Sequence, residues 1–262
     1  MLDFLAHLFD LNKSYRTINL YRSALSSTLK PIDGFCVGKH PLVCRLLKGV
    51  FNKRPPTQKL CQSWSVIQVL DLLKSLSPSS SLDLKTLTLK TVMLLALASA
   101  KRCSSLSLLS IKPGFMELSE SRVRLQPDGL EKESGPEHIA PPIVLEAFFE
   151  DPRLCPVHYL KAYIRKTESF RKSDKLFVTM IAPHTGASTA TIASWLVKVI
   201  SQSGQSGTGG SVRSVSTTRA ISRGVSLETV LSAADWARVS TFRRFYFKPA
   251  PLSFGDSVLH SN

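Results

Sequence analysis

Arginine, tryptophan and tyrosine side chains suited to phosphate chemistry occur close together in the C-terminal part of the sequence. Arg213 lies at the start of a predicted helix, Trp236 follows the next predicted helix, and Tyr246 comes ten residues after that tryptophan. A second arginine, Arg102, follows a long apolar stretch. An arginine fork can bind two phosphate oxygens at once, and a tyrosine phenol can attack a phosphorus atom. These residue types are the ones that phosphoryl transfer requires.

The charge of the chain indicates an anionic partner. Its 262 residues include 34 Lys and Arg against 19 Asp and Glu, a net charge of +15. Such an excess is far more basic than folding requires, and nucleic acid is the first candidate partner. A membrane surface is the rival, but the longest apolar run, Val92–Ala98, is too short to span a bilayer. The N-terminal residues also lack the regions of a signal peptide. We therefore expect a soluble protein that binds nucleic acid.

The sequence contains no pattern typical of a metal or nucleotide site. Its five cysteines are widely spread and never form a CxxC pair, so we interpret them as buried, reduced thiols. The Gly/Ser stretch Ser203–Gly210 lacks the lysine of a phosphate-binding P-loop and is typical of a flexible connector. The cysteines therefore suggest no zinc site, and the Gly/Ser stretch suggests no nucleotide site.

Two motifs give the chain a family resemblance. One is Ser99–Arg102, which reads SAKR, and the other runs from Ala234-Asp235-Trp236 to the STFRRFY ending at Ser240–Tyr246. With these motifs the chain resembles the tyrosine recombinase family, and most closely the recombinases of DIRS-type and Ngaro-type retrotransposons. The similarity extends from the Tyr21–Ala24 segment to Pro249.

The resemblance implies roles for individual residues. The phenol of Tyr246 would attack a DNA backbone phosphate, become joined to the 3′ phosphate and release a 5′ hydroxyl, and the reverse step would rejoin the strand. Arg102 and Arg213 would stabilise the charge on the phosphate in the transition state. Trp236 occupies the position where relatives have His or Trp, and its indole N–H could donate to a phosphate oxygen. No metal or nucleotide would be needed.

The departing 5′ oxygen needs a proton, which in the family comes from a lysine on a β-hairpin. Lys132 fits this place because it follows a predicted strand, Arg122–Leu125, and the turn Pro127-Asp128-Gly129. Lys112 is the substitute candidate. An exposed loop lysine is more often only a solvated charge, and this plainer interpretation remains open.

The other candidates also have plainer interpretations when they are taken singly. Each arginine could be a surface or salt-bridged residue, and Trp236 could be an ordinary core tryptophan. Tyr246 could simply pack beside Phe242, Phe245 and Phe247. Many relatives place the tyrosine one residue sooner, where this chain has Phe245, whereas the DIRS-like branch shares the FY ending.

Two departures from the family pattern put cleavage in question. Relatives have a histidine three residues before the second arginine, where this chain has Gly210. None of the six histidines lies close enough in sequence to fill that place. The acidic residue that is common three places after the first arginine is replaced by Ser105, which we expect to loosen the support of Arg102.

Hydrophobic periodicity predicts the elements that must position these residues. The sequence predicts a Ser14-capped helix to Leu29. It also predicts a helix over Leu84–Ala100 that is apolar all round after Thr91, as expected at the centre of a core, and that leads into Lys101 and Arg102. Between the helices, Ser121–Leu125 and Ile139–Leu145 predict a small sheet. Further helices are predicted at about 156–166, 190–201 and 213–223, with Ser226 and Ser240 as caps of two more.

The predicted fold is mainly α, of the α+β class, in two domains. Residues 1–57 are expected to form a small helical DNA-binding domain, and residues 63–250 a larger tyrosine recombinase catalytic domain with a small antiparallel sheet. Residues 251–262 would form a C-terminal tail. Because the N-terminal portion is shorter than in relatives, we expect a truncated domain that lacks a helix.

The expected function is therefore DNA recombination and integration by a mobile-element enzyme in the nucleus. By resemblance, its partners would be double-stranded DNA and further copies of itself, as a tetramer on paired DNA sites. One alternative is a transposon-derived DNA-binding protein that no longer cuts, and a second is a type IB topoisomerase. A third is a basic helical scaffold that binds RNA, although no RNP or KH signature occurs.

Overall fold

The computed structural model describes residues 1–56, 64–76 and 78–248. The chain divides into two compact units, Met1–Cys61 and Gln62–Asn262. The predicted boundary between residues 57 and 63 and the predicted tail at 251–262 lie outside the described residues.

The N-terminal unit contains three α-helices within its described residues, 1–56. These are α1 (Leu2–Asp10), α2 (Tyr15–Thr28) and α3 (Pro41–Lys53). As predicted, Ser14 caps α2, because its hydroxyl accepts a hydrogen bond from the backbone N–H of Thr17. The small core of the unit is made by these buried side chains: Leu5, Leu8, Ile18, Val43, Leu47 and Val50.

The apolar face predicted for α2 is only partly buried. Ile18 is fully buried, whereas Tyr21 is 44% exposed and Leu29 is 46% exposed. The ring of Tyr21 makes an edge contact with Phe4 of α1, with 5.8 Å between the ring centroids. Helix α2 therefore contributes less to the core than its periodicity predicts.

The C-terminal unit contains eight helices in the part of the chain that is described. They are α4 (Val66–Ser75), α5 (Leu84–Ser99), α6 (Cys103–Leu108), α7 (Pro156–Thr167), α8 (Thr189–Gln202), α9 (Ser211–Ser222), α10 (Leu227–Ala234) and α11 (Val239–Phe245). No helix of the described residues is long and apolar enough to cross a bilayer.

Helix α5 is the centre of this unit, as its apolar composition predicts. Every residue from Leu87 to Ala96 is buried, and α7, α8 and α9 all pack against it. Ala100 ends the helix in the left-handed conformation, with φ of 51°. The chain therefore turns sharply just before Lys101 and Arg102, which lie at the edge of the core.

Helix α5 also carries a buried lysine. The side chain of Lys90 is fully buried, and its ammonium donates to the carbonyl oxygens of Leu73 and Leu76 at 2.5 Å each, at the C-terminal end of α4. It also lies 3.9 Å from the ring centroid of Tyr159. Burial lowers the pKa of Lys90 to about 8. The lysine ties the end of α4 to the central helix.

A small antiparallel sheet completes the unit, and its existence was predicted. Its strands β1 (Met116–Leu118), β2 (Arg122–Leu125) and β3 (Ile143–Glu146) pair in the order β1-β2-β3. The prediction that β3 begins at Ile139 was wrong. Pro141 and Pro142 have no N–H to donate to a neighbouring strand, so residues 126–142 form a long loop instead.

The last helices largely follow the predicted capping pattern. Ser226 caps α10 by accepting a hydrogen bond from the N–H of Thr229, and Gly224, with φ of 85°, closes the turn after α9. The prediction of Ser240 as the cap of α11 was wrong. This helix begins at Val239, with Arg238 at the N-cap position.

Candidate active site

Arg213 is a buried cation on helix α9. Its side chain is 2% exposed, and its Nη2 donates to the carbonyl oxygen of Ala234 at the end of α10. Its guanidinium carbon lies 4.4 Å from the ring centroid of Trp236. Burial and the nearby charge of Arg102 lower the pKa of Arg213 to about 10, so the guanidinium remains charged at neutral pH.

The start of α9 is fixed by a small polar network. The backbone N–H of Ser211 donates to the carbonyl of Thr208, and the Ser211 hydroxyl accepts a hydrogen bond from the indole N–H of Trp64 at 2.8 Å. Trp64 is 3% exposed. This network anchors the first turn of the helix on which Arg213 lies.

Trp236 and Tyr246 lie against each other beside Arg213. Their ring centroids are 4.4 Å apart, and the ring of Tyr246 lies 5.4 Å from the guanidinium carbon of Arg213. The left-handed conformation of Asp235, with φ of 52°, ends α10 and turns the chain at Trp236. Phe242 of α11, which is buried, packs against the indole ring at 5.2 Å.

Hydrogen bonds to the main chain hold Tyr246 in place. Its carbonyl oxygen accepts from the hydroxyl of Ser214 at 2.6 Å and from that of Thr218 at 3.2 Å. The N–H of Lys248 then donates to the same Thr218 hydroxyl at 3.0 Å. Because both hydroxyls belong to α9, the tyrosine is anchored to the helix that carries Arg213.

Arg102 joins this group from helix α6, where it occupies the N-cap position. Its side chain is 22% exposed, and its Nη1 lies 2.5 Å from Oε2 of Glu133. Besides burial, the positive charge of Arg102 lowers the pKa of Arg213, so the two guanidinium groups lie near enough to repel each other. The structure thus gathers Arg102, Arg213, Trp236 and Tyr246, residues that are distant along the chain.

Several donors at this place are buried without a hydrogen-bond partner among the described residues. They are Nε of Arg213, Nε1 of Trp236 and Nζ of Lys101. Buried donors are rarely left unpaired, because each one loses its hydration without compensation. Positive charge together with unpaired N–H groups suits an anion such as a phosphate. No group of three or more His, Cys, Asp or Glu side chains that could hold a metal ion occurs within the described ranges.

Comparison with solved structures identifies the fold. XerA recombinase matches over 100% of this chain and 91% of its own, with a TM-score of 0.54 at 17% identity. A lambda integrase dimer bound to a COC′ core site matches over 96% of this chain and 80% of its own, with a TM-score of 0.54 at 14% identity. The Tn1549 transposon integrase in complex with transposon right end DNA matches over 98% and 82%, with a TM-score of 0.64 at 12% identity.

The fold is that of the tyrosine recombinases. The expected fold class, mainly helical with a small antiparallel sheet, is therefore confirmed. No protein-family model and no curated protein matches the sequence.

The structure does not bring Lys132 into contact with the residues gathered around Tyr246. Lys132 is exposed in a turn of the loop between β2 and β3, within the stretch where the recombinase resemblance predicts a catalytic lysine. Its neighbour Glu133 does reach Arg102. The substitute candidate, Lys112, pairs with Asp128 at 3.1 Å. The role of Lys132 remains a prediction.

The two departures from the recombinase pattern have different structural settings. A Cβ atom at Gly210 would meet no atom within 4 Å, and its φ of −70° suits any residue, so this position can accept a side chain. Ser105, in contrast, is buried in α6. The carboxylate beside Arg102 comes instead from Glu133 of the loop, which runs counter to the expectation that this arginine lacks support.

Sequence reasoning missed Glu133, Lys101 and a histidine at this site. His138 lies in the same loop, and its Nε2 is 3.1 Å from Oδ1 of Asp235, the residue before Trp236. The spacing of acidic residues on both sides of Lys132 was a visible signal for Glu133. No residue near His138 in the sequence indicated that it belongs to this site, because its partner Asp235 lies 97 residues further along the chain.

Proposed function

We propose that this chain is a DNA breaking and rejoining enzyme of the tyrosine recombinase type. The phenol oxygen of Tyr246 attacks the scissile phosphorus while the bond from phosphorus to the 5′ oxygen breaks. Lys132 donates a proton to the departing oxygen, and the phenol proton passes to solvent. The 3′-phosphotyrosyl bond conserves the energy of the original phosphodiester. Attack by a 5′ hydroxyl reverses the sequence and rejoins the strand.

The contact of Tyr246 with Trp236 and Arg213 is the observation that carries this proposal. A packed tyrosine needs no buried cation with unpaired donors beside it, and burial of such groups is unfavourable unless a ligand satisfies them. In the proposed reaction a phosphate between Arg102 and Arg213 accepts from Arg213 Nε and Trp236 Nε1, the orphaned donors of the site. The transition state, with its additional negative charge, would be bound more tightly than the ground state.

Charge supports double-stranded DNA as the substrate. The net charge is +15, and Arg238, Arg243 and Arg244 are exposed on and beside α11, close in sequence to Tyr246. Phosphate contacts of this kind position a protein on DNA without selecting a base sequence. The lambda integrase neighbour is a dimer on its core site, and we extend this to copies of the present chain assembled on paired DNA sites, with a tetramer as the complete unit.

The proposed setting is a mobile element. The SAKR motif and the ADW to STFRRFY ending support a relationship to recombinases of DIRS-type and Ngaro-type retrotransposons. An enzyme that integrates such an element would act on nuclear DNA, and we propose the nucleus as its location.

A second candidate function is a DNA-binding protein that has lost cleavage. Gly210 favours it, because a glycine supplies no group for proton transfer at the position where the resemblance predicts histidine. Both candidates bind DNA, and only the first forms a covalent bond with it.

Trapping of the covalent intermediate distinguishes the two candidates. The protein would be incubated with a pool of nicked duplexes of randomised sequence, from which the short cleaved fragment diffuses away and prevents rejoining. A protein–DNA adduct that survives denaturation is expected for the wild type, and none for Tyr246→Phe. DNA binding that weakens steeply with salt is expected for both proteins.

The neighbouring phenylalanine provides a matched control. Phe245 is 59% exposed and lies beside Arg244, not against Trp236. The double variant Phe245→Tyr with Tyr246→Phe has the composition of the wild type but moves the phenol by one residue. It should form no adduct. An adduct in Tyr246→Phe alone would show that Tyr246 is not the nucleophile, whereas an adduct in the double variant alone would show that a phenol at position 245 also reaches the phosphate. Binding without any adduct in the wild type would favour the second candidate.

A further inference from the structure

Two residues near the start of the C-terminal unit are hydrogen bonded to the stretch that precedes α9. The indole N–H of Trp64 donates to the hydroxyl of Ser211 at 2.8 Å. The side-chain oxygen of Gln205 accepts from the N–H of Ser65 at 2.7 Å, and its side-chain N–H donates to the carbonyl of Ser65 at 3.0 Å. The Gly/Ser stretch at 203–210, whose composition predicts a flexible connector, is therefore held against Trp64 and Ser65.

Glycine at position 207 lets the indole lie close to this stretch. A Cβ built on Gly207 would lie 2.6 Å from Cδ1 and 2.9 Å from Nε1 of Trp64. These distances are shorter than van der Waals contact, so a side chain at position 207 would push the indole away from Ser211. Because Trp64 is 3% exposed, its ring is packed on nearly all sides. The hydrogen bond from Trp64 to Ser211 therefore depends on Gly207.

Helix α9 needs this support because its N-cap residue supplies no side-chain cap. Gly210 occupies that position and has no side chain that could accept from the first N–H groups of the helix. The hydroxyl of Ser211, the first helical residue, instead accepts from the N–H of Thr208 at 3.1 Å and donates to the carbonyl of Thr208 at 2.5 Å. The hydrogen bond from Trp64 is a third contact of this hydroxyl, and it ties the turn at Thr208 to a buried side chain.

Arg213 lies in the same first turn of α9, two residues after Ser211. The far end of its side chain is held by the carbonyl oxygen of Ala234, to which Nη2 donates. The near end is attached to the backbone of the first helical turn, whose position depends on the contacts of Ser211. Fraying of this turn would move the unpaired Nε of Arg213 away from a bound phosphate.

We propose that Trp64 is a positioning residue for Arg213, which through Ser211 holds the first turn of α9, and with it the guanidinium, where the scissile phosphate binds. The inference rests on the proposed function and extends it to a residue outside both motifs. Trp64 acts through α9 and does not itself touch the phosphate. Loss of its N–H should therefore weaken the stabilisation of negative charge in the transition state.

A substrate with a neutral scissile group separates this role from a general structural one. In one nicked duplex the scissile group is an ordinary phosphate, and in the other a methylphosphonate, in which a methyl group replaces one non-bridging oxygen. In both, the bond from the phenol oxygen of Tyr246 to phosphorus forms as the bond to the 5′ oxygen breaks. The methylphosphonate carries one negative charge less, so its transition state gains less from a cation. A displaced Arg213 therefore slows mainly the phosphate substrate, whereas a partly unfolded protein slows both substrates equally.

The variants that break the contact should share one selectivity. Arg213→Ala is the benchmark, and it should slow adduct formation by about 100-fold or more with phosphate and by less than about tenfold with methylphosphonate. Trp64→Phe keeps an aromatic ring but removes the N–H. It should slow the phosphate substrate by about tenfold and the methylphosphonate by less than about threefold. Gly207→Ala, which displaces the indole, should show the same selectivity.

A double variant tests whether the effect passes through Ser211. Ser211→Ala removes the acceptor of the hydrogen bond, and it remains informative if Trp64→Phe folds poorly. Trp64→Phe combined with Ser211→Ala should be about as slow with phosphate as Ser211→Ala alone, because both substitutions remove the same hydrogen bond.

Trp195→Phe is the matched control. Trp195 is also buried, at 8% exposure, but it lies on α8 in a pocket with residues 179–183. The same change of residue there should leave the rates with both substrates equal to those of the wild type.

Other outcomes would overturn the inference. Equal slowing of the two substrates by Trp64→Phe would show a general structural role. Losses of Trp64→Phe and Ser211→Ala that multiply in the double variant would show that the two residues act independently. Wild-type adducts with an unaffected Trp64→Phe would refute only the positioning role, whereas no adduct from the wild type would refute the proposed function and, with it, this inference.

Discussion

A histidine introduced at position 210 should accelerate DNA cleavage by this chain. Gly210 precedes the first residue of α9, three residues before Arg213, and a Cβ built there meets no atom within 4 Å. Its backbone, with φ of −70°, needs no glycine. The substitution Gly210→His should therefore leave the fold intact, with an unfolding free energy within about 1 kcal/mol of the wild type.

The expected increase in cleavage rate for Gly210→His follows from the surroundings of residue 210. A well-placed general acid or base contributes about 10²–10⁴-fold to a reaction rate. Because no atom contacts the added Cβ, neighbouring side chains would hold the imidazole loosely, and the gain should lie at the lower end, at about 10–100-fold. A histidine also titrates near pH 6.5, at about its ordinary pKa, so a new inflection should appear in the pH profile of the rate.

The rate of adduct formation on nicked DNA, followed from about pH 5.5 to 8.5 across the histidine titration range, measures this gain. Gly210→Gln is the control, since glutamine can donate hydrogen bonds but does not exchange protons in this range. If Gly210→His is no faster than Gly210→Gln at any pH, proton transfer from this position does not limit cleavage. A wild type that forms no adduct but gains one with histidine would show that Gly210 causes the loss of activity.

Two further predictions concern stability. Gly209→Ala should lower the unfolding free energy by about 1–3 kcal/mol, because the added Cβ would lie 2.8 Å from Cα of Ala193 and 2.9 Å from the carbonyl oxygen of Ala193. Urea unfolding measures this loss, with Gly210→Ala as the control. Equal stability of the two variants would contradict the prediction. For Lys90, the pKa of about 8 lies below the ordinary value of 10.5, so between these values the unfolded chain binds the proton more strongly and stability rises with pH. The stability difference between the wild type and Lys90→Met should therefore change by about 2 kcal/mol between about pH 7.5 and 9.5, and parallel pH curves would refute the assignment.

The sequence predicts best those features that have a local cause. Ser14 and Ser226 cap their helices as expected, because a cap depends on residues within one turn. The run of apolar residues after Thr91 predicts the central burial of α5, because this pattern too can be read within one helix. The C-terminal motif also locates Trp236 and Tyr246 in one cluster, since a short helix and one turn connect them.

Contacts between distant parts of the chain were not predictable in this way. Glu133 and Arg102 are 31 residues apart, and His138 and Asp235 are 97 apart, in a loop without periodicity. Charge alone did not select these partners, because the chain contains 34 basic residues that could have paired with Glu133. Which of these pairs form depends on the path of the loop 126–142 in the folded protein. The acidic partners of the site were therefore identified only in the structure.

The hydrogen bonds between Tyr246 and α9 affect whether one copy of the protein could supply its tyrosine to the active site of a neighbouring copy on DNA. Two hydroxyls bind the tyrosine carbonyl, and a third bond joins Lys248 to Thr218. At about 1 kcal/mol each, release of this segment costs about 3 kcal/mol, so about one molecule in a hundred would have it free at any moment. In the proposed reaction we therefore expect each copy to cut with its own tyrosine, because supplying that tyrosine to a neighbouring copy would require new contacts worth about the same free energy.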